Sequence, residues 1–171
     1  MLNRPPERRA SRLDAFIRRI AAQRDCLNAA AHLIAALDGP VLELGLGNGR
    51  TYDHLRALFP GREIFVFDRE VASHPASTPD AAHLRLGDFR ETLPAFAREG
   101  RPKAALAHAD IGSPDRERDA ALAAWLAPAL VPLLRAGAIV AADRAFTTVS
   151  WHALDLPSGV APGDYFMYRV P

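Results

Sequence analysis

The stretch VLELGLGNGRTYDHL, residues 41–55, decides the fold. Its first four residues form a short, mostly apolar run, the pattern of a strand buried on both faces. Gly45, Gly47 and Gly49 then turn the chain tightly and let a ligand approach without meeting a Cβ. A helical period follows over residues 48–59, and its first turn offers unpaired backbone N–H groups suited to a carboxylate or phosphate. Strand, glycine turn and helix in that order make a ligand-binding loop, although a glycine-rich turn alone serves purely structural ends as often.

Upstream, Leu13, Phe16, Ile17, Ile20, Leu27, Ile34 and Leu37 recur at three- and four-residue spacing. They predict one long or two shorter amphipathic helices over residues 7–37, stopped by Asp38, Gly39 and Pro40. Downstream, strand-like runs at 63–67, 83–86, 104–109, 138–142, 151–156 and 165–170 alternate with helical patterns at 89–99 and 115–134. A shorter helical pattern lies near Ala72. Alternation of this kind predicts a mainly parallel sheet with helices on both faces. The last two strands leave no room for a helix between them and are expected as an antiparallel hairpin at the sheet edge. Residues 1–38 are expected to form a helical cap within the same domain as 39–171.

In such a sheet, ligands sit beyond the carboxyl ends of the strands. Those ends are acidic: Asp68, Asp88, Asp110 and Asp143 follow the second to fifth runs, and Glu43 lies in the first. Asp68 is positioned to accept hydrogen bonds from both hydroxyls of a ribose, and it would equally cap a helix. The glycine spacing is G-x-G-x-G, one residue shorter than the dinucleotide fingerprint, with Arg50 where the third glycine of that fingerprint falls. Glu43 suits a positively charged ligand and suits a pyrophosphate poorly.

VLELGLGNGRTYDHL resembles the first motif of class I S-adenosylmethionine-dependent methyltransferases, whose pattern is acidic-x-G-x-G-x-G. The similarity continues through IFVFDRE (64–70), LRLGDFRE (84–91), ALAHADIGSP (105–114) and WHALDLPSGVAPGDYFMYRV (151–170), nearly all of the chain after Pro40. The resemblance implies a three-layer Rossmann-like sandwich with a seven-stranded sheet, and S-adenosyl-L-methionine as cofactor. It places Gly45, Gly47 and Gly49, with Asn48 between them, along the methionine part, and Glu43 towards its amino group through backbone or water. Asp68 and Arg69 would hold the ribose, and Gly87, Asp88 and Phe89 the adenine. Ala109, Asp110 and Ile111 would separate cofactor from acceptor.

Methyl transfer from a sulfonium asks mainly for alignment, and for a general base only when the acceptor is protonated. Asp110 is the first candidate for that base. Asp143, His108 and His152 follow, His108 being expected structural in a buried strand and His152 exposed on an edge strand. The Asn/Asp-Pro-Pro-Tyr/Phe motif of amino-group methyltransferases does not occur. Cys26, the one cysteine, lies in the N-terminal helix, which excludes covalent cytosine C5-methylation and a thiolate metal cluster. No metal is expected.

A small-molecule acceptor is therefore expected, covered by residues 1–38 or by a second subunit. A cofactor-binding module without catalysis is the alternative. A nicotinamide-dependent oxidoreductase is disfavoured by Arg50, and Lys103, the single lysine, has no tyrosine four residues before it. Nucleic-acid binding is disfavoured by a net charge of +1. The first 25 residues do carry seven arginines (4, 8, 9, 12, 18, 19 and 24) against Glu7, Asp14 and Asp25. Phe16 is the one aromatic residue among them, short of the interleaving that base stacking needs. The apolar stripe of these helices could pack on the sheet or bury a homo-oligomer contact. No apolar run nears the roughly 18 residues of a membrane span, and MLNRPPERRASR has no apolar stretch behind it; a cytoplasmic protein is expected.

Overall fold

The computed structural model describes residues 9–171. The first predicted helical positions, 7 and 8, and the basic residues Arg4 and Arg8 lie outside the described residues. The first helix, α1, spans Arg12–Leu33. Ser11 starts it with a capping box: its hydroxyl accepts from the Asp14 N–H at 3.0 Å while Asp14 accepts from the Ser11 N–H at 2.8 Å.

Seven strands follow: β1 Val41–Leu44, β2 Ile64–Asp68, β3 Leu84–Leu86, β4 Ala104–Ala109, β5 Leu134–Ala142, β6 His152–Ala153 and β7 Phe166–Arg169. They form one sheet in the order β3-β2-β1-β4-β5-β7-β6. The first five are parallel, and β7 runs antiparallel between β5 and β6. The sheet is thus mainly parallel, with the expected antiparallel pair at its end, but only β6 occupies the edge. The final run of the chain sits one place inward, where Met167 and Tyr168 are buried.

Helices α2 (Arg50–Leu58), α3 (Phe89–Arg98) and α4 (Arg116–Leu130) complete the layers. One core cluster packs β1, β2, β4 and β5 against α3 and α4 through Leu42, Phe65, Phe67, Leu93, Phe96 and Leu126. The other packs the opposite face against α1 and α2 through Leu27, Ile34, Tyr52, Leu55, Val66 and Tyr165. Successive strand residues face opposite layers, so Leu42 and Leu44 belong to the first cluster while Val41 belongs to the second.

The first helix stops at Leu33, short of the expected 37, and β6 covers only His152–Ala153 of the expected 151–156; two further boundaries differ for local reasons. The helical pattern of 115–134 ends at Leu130 because Pro132, with no N–H to donate, forces a 3₁₀ turn over Val131–Leu133. The chain enters β5 at Leu134, four residues earlier than expected, by way of a register shift opposite Ala104 and Leu106. The helical pattern near Ala72 is a 3₁₀ turn at Pro75–Ser77. Among the described residues, no helix is long and apolar enough to cross a membrane.

Candidate functional site

A cavity of about 540 Å³ opens beyond the carboxyl ends of β1, β2, β3 and β4. Of the residues singled out in the sequence, Gly45, Gly47, Asp68, Arg69, Asp88, Phe89, Asp110 and Ile111 line it. Four strand ends and one helix N-terminus converge there because the parallel register aligns them: Glu43 lies beside Val66 of β2 and His108 of β4.

The glycine loop is held from both sides. Gly45 has φ +98°, and a Cβ there would lie 2.5 Å from the Asp110 carbonyl oxygen, so the loop can lie against the end of β4 only with glycine. Gly49, at φ +80°, begins α2, and its Cβ would lie 2.5 Å from the Ser77 carbonyl oxygen. Its requirement is thus packing on the connection after β2, and it stands outside the cavity lining. Around Gly47, by contrast, a Cβ would meet nothing within 4 Å, leaving the loop open to the cavity.

Asp68 ties loop and strand together. Its Oδ2 accepts from the backbone N–H of Leu46 at 2.7 Å and of Gly47 at 3.2 Å, and its Oδ1 from Arg69 N–H at 2.6 Å. Asp88 caps α3 through Oδ1, which accepts from Arg90 N–H at 2.9 Å. Its Oδ2 takes no part in that cap.

Asp110 is approached from α1. Its Oδ2 accepts from the Gln23 amide at 2.9 Å, and Arg19 lies 3.5 Å from Oδ1. A small recess of about 80 Å³ lies between α1 and the glycine loop, lined by Arg19, Ile20, Gln23, Asn48, Thr51 and Asp110 among others. Asn48 belongs to this recess and not to the larger cavity.

Glu43 is not at the cavity. It is fully buried on the α1/α2 face, where Oε1 accepts from the Thr51 hydroxyl and Oε2 from His108 Nδ1–H at 2.6 Å. Its alternation with Val41 turns it under the loop, so the carboxylate expected to face a cationic ligand is engaged by the protein. His108 is likewise fully buried and touches the Tyr165 hydroxyl through Nε2. Burial alone pushes the imidazolium towards neutrality; the Glu43 charge and hydrogen bond, with Asp110 and Asp143 further off, outweigh it and raise the pKa above the usual value. Ala109 is in the core, and Gly87 lies behind the cavity wall, donating its N–H to the Asp68 carbonyl.

Asp143, at the end of β5, is buried beneath the β4–α4 connection. It accepts from Ile111 N–H at 3.0 Å, from Gly112 N–H at 2.9 Å and from Arg144 at 3.0 Å. Burial and then the nearby Asp110 charge raise its pKa, against those three donors. Arg144 also donates to Asp119 at 2.8 Å. His152 is exposed, as its edge-strand alternation predicted. The Cys26 thiol is buried and pushed up to about 12, by burial first and then by Asp25, so it is a weak nucleophile. Among the described residues, no three histidine, cysteine, aspartate or glutamate side chains gather as a metal site.

Several lining residues escaped the sequence reasoning: Arg90, Gly112, Arg118, Ala121 and Leu122 in the cavity, and Arg19 and Gln23 above Asp110. The spacing of Arg118, Ala121 and Leu122 puts them on one helical face, a signal that was present. Nothing local marks Arg19 and Gln23, which meet Asp110 across almost ninety residues of chain.

A family model described as S-adenosyl-L-methionine methyltransferase matches residues 10–170. A crystal structure of an S-adenosyl-L-methionine methyl transferase from Silicibacter pomeroyi is 48% identical, with a TM-score of 0.88, over 94% of this chain and 99% of that one. The MycE methyltransferase of the mycinamycin pathway has a TM-score of 0.56 at 16% identity, over 92% of this chain and 48% of MycE. Human methyltransferase-like protein 13 has a TM-score of 0.54 at 14% identity, over 91% and 80%. These last two share the fold. No curated protein matches the chain. Its motifs, its sheet and its match over nearly every residue place the chain in the family of S-adenosyl-L-methionine-dependent methyltransferases.

Proposed function

We propose that this methyltransferase acts on a small-molecule acceptor bound beneath α1, with its cofactor in the 540 Å³ cavity. The cavity fits S-adenosylmethionine on its donor set and shape. Asp68 would accept from the ribose hydroxyls in place of its two longest backbone contacts, from Gly47 at 3.2 Å and Glu70 at 3.4 Å. The uncommitted Oδ2 of Asp88 suits the adenine amino group, and Phe89 gives the ring an apolar wall. Gly45 and Gly47 border the methionine part, with Arg69 beside the ribose. The bound cofactor supplies an activated methyl group on a sulfonium, so the protein's task is alignment and exclusion of water.

Asp110 stands between the cavity and the recess under α1, and it lines both. That shared position is the observation that carries the assignment of the acceptor to the recess. Asp110 orients the acceptor there and takes its proton where the acceptor is protonated. Arg19 and Gln23 hold the Asp110 carboxylate in place from the α1 side. Because α1 lies across Asp110, approach is restricted, which favours a small acceptor over a polymer lying in an open groove.

The test is transfer of labelled methyl groups from S-adenosylmethionine to a cell extract fractionated by size. Label in the low-mass fraction supports the proposal. Label confined to protein or nucleic acid overturns it.

A further inference from the structure

Beneath the site runs a line of polar side chains, whose two ends, Thr51 and Gln23, also line the recess. Thr51 donates to Glu43, Glu43 accepts from His108, and His108 meets the Tyr165 hydroxyl. Tyr165 stands beside Gln23 of α1, whose amide donates to Asp110 at 2.9 Å. Glu43, His108 and Tyr165 are fully buried, and Gln23 is 4% exposed. A core that places four polar groups in succession must satisfy each of them, since one unpartnered member is costly. Here Glu43, His108, Tyr165 and Gln23 each keep a hydrogen-bond partner, and the line ends on a partly exposed carboxylate at the mouth of the site.

The elements it joins are informative. Glu43 and His108 are register partners on β1 and β4, Tyr165 directly precedes β7, Thr51 opens α2 and Gln23 comes from α1. One turn before Gln23, Arg18 pairs with Asp164 at 3.1 Å, fastening α1 to the residue next to Tyr165.

We propose that Glu43, His108, Tyr165 and Gln23 are positioning residues that fix Asp110, and with it the α1 cover, over the methionine end of the cofactor site. The imidazolium of His108 donates from Nδ1 to Glu43 and from Nε2 to the Tyr165 oxygen. Tyr165 is thereby held where it engages Gln23, and Gln23 is held with its N–H on Asp110. Burial keeps the Tyr165 hydroxyl protonated, far above its usual range, so it stays available as a link. The charged groups facing His108 are Glu43 from β1, Asp110 on its own strand and Asp143 from β5, all acidic. Its positive charge is thus favoured, and raising the pH through its elevated pKa removes it.

The inference rests on the assignment of the cavity to S-adenosylmethionine, and its test separates the two. Affinity for S-adenosylmethionine is measured by calorimetry on the full chain for wild type, Tyr165→Phe, Asp110→Asn and the double variant. Tyr165→Phe is expected to weaken binding roughly ten-fold, the factor one hydrogen bond of ordinary net strength supplies. In the Asp110→Asn background the same change is expected to have almost no effect, because Tyr165 acts through Asp110. Additive losses overturn the positioning role while leaving the cofactor site standing. No binding by wild type overturns both.

If Tyr165→Phe does not fold, Gln23→Ala takes its place in the cycle with the same expectation. A pH series gives an independent readout. Wild-type affinity should fall as pH rises through the elevated His108 pKa, and His108→Gln should flatten that fall. An unchanged slope in His108→Gln contradicts the proposal.

Discussion

Four strands end in aspartate, and the two on one side of β1 are used differently from the two on the other. Asp68 and Asp88, after β2 and β3, accept from backbone N–H groups and line the cavity. Asp110, after β4, is held by Arg19 and Gln23 of α1, and Asp143, after β5, is buried against the β4–α4 connection and Arg144. An acidic strand end is therefore no single signal. The β2 and β3 carboxylates face the cavity, while Asp143 is buried away from it in holding the chain and Asp110 belongs to both groups.

This contrast predicts opposite balances of stability and affinity. The largest stability loss is expected for Asp143→Ala, which strips the partner from two backbone N–H groups and loosens Arg144. About 2–4 kcal/mol should disappear from the urea unfolding free energy, since buried donors without acceptors carry their full desolvation cost. A loss below about 0.5 kcal/mol, the range of ordinary surface changes, would erase the distinction between the two sides. Asp88→Ala should cost only about 1 kcal/mol, the usual worth of a helix cap, while affinity for S-adenosylmethionine falls several-fold. Thermal melts beside calorimetry check both numbers. Lower stability with unchanged affinity would reduce Asp88 to a cap.

Much of this arrangement was legible in the sequence. Residues 41–44 and 104–109 form strands with the expected bounds, because an unbroken apolar run bounded by turn residues admits little else. The pairing of β6 with β7 was legible in the short, proline- and glycine-rich turn between them. That β7 would lie inside β6 was not, since strand order is set by long-range pairing. Glu43 shows a second limit. In a strand buried on both faces the side-chain direction leaves no trace in the hydrophobic pattern, so a carboxylate beside a glycine loop was expected at the ligand. It lies instead against His108, its register partner. Which residues of α1 reach the site was hidden for the same kind of reason: Gln23 and Asp110 meet only through the packing of the helix over the sheet.

The central claim, that the carboxylates after β2 and β3 form the cofactor site, is tested most directly at Asp68. S-adenosylmethionine should be titrated into wild type and Asp68→Ala by calorimetry, with folding checked by circular dichroism. Loss of the hydrogen bonds to both ribose hydroxyls should weaken binding by about 100-fold or more in a chain that remains folded. Wild-type affinity in Asp68→Ala would contradict the claim.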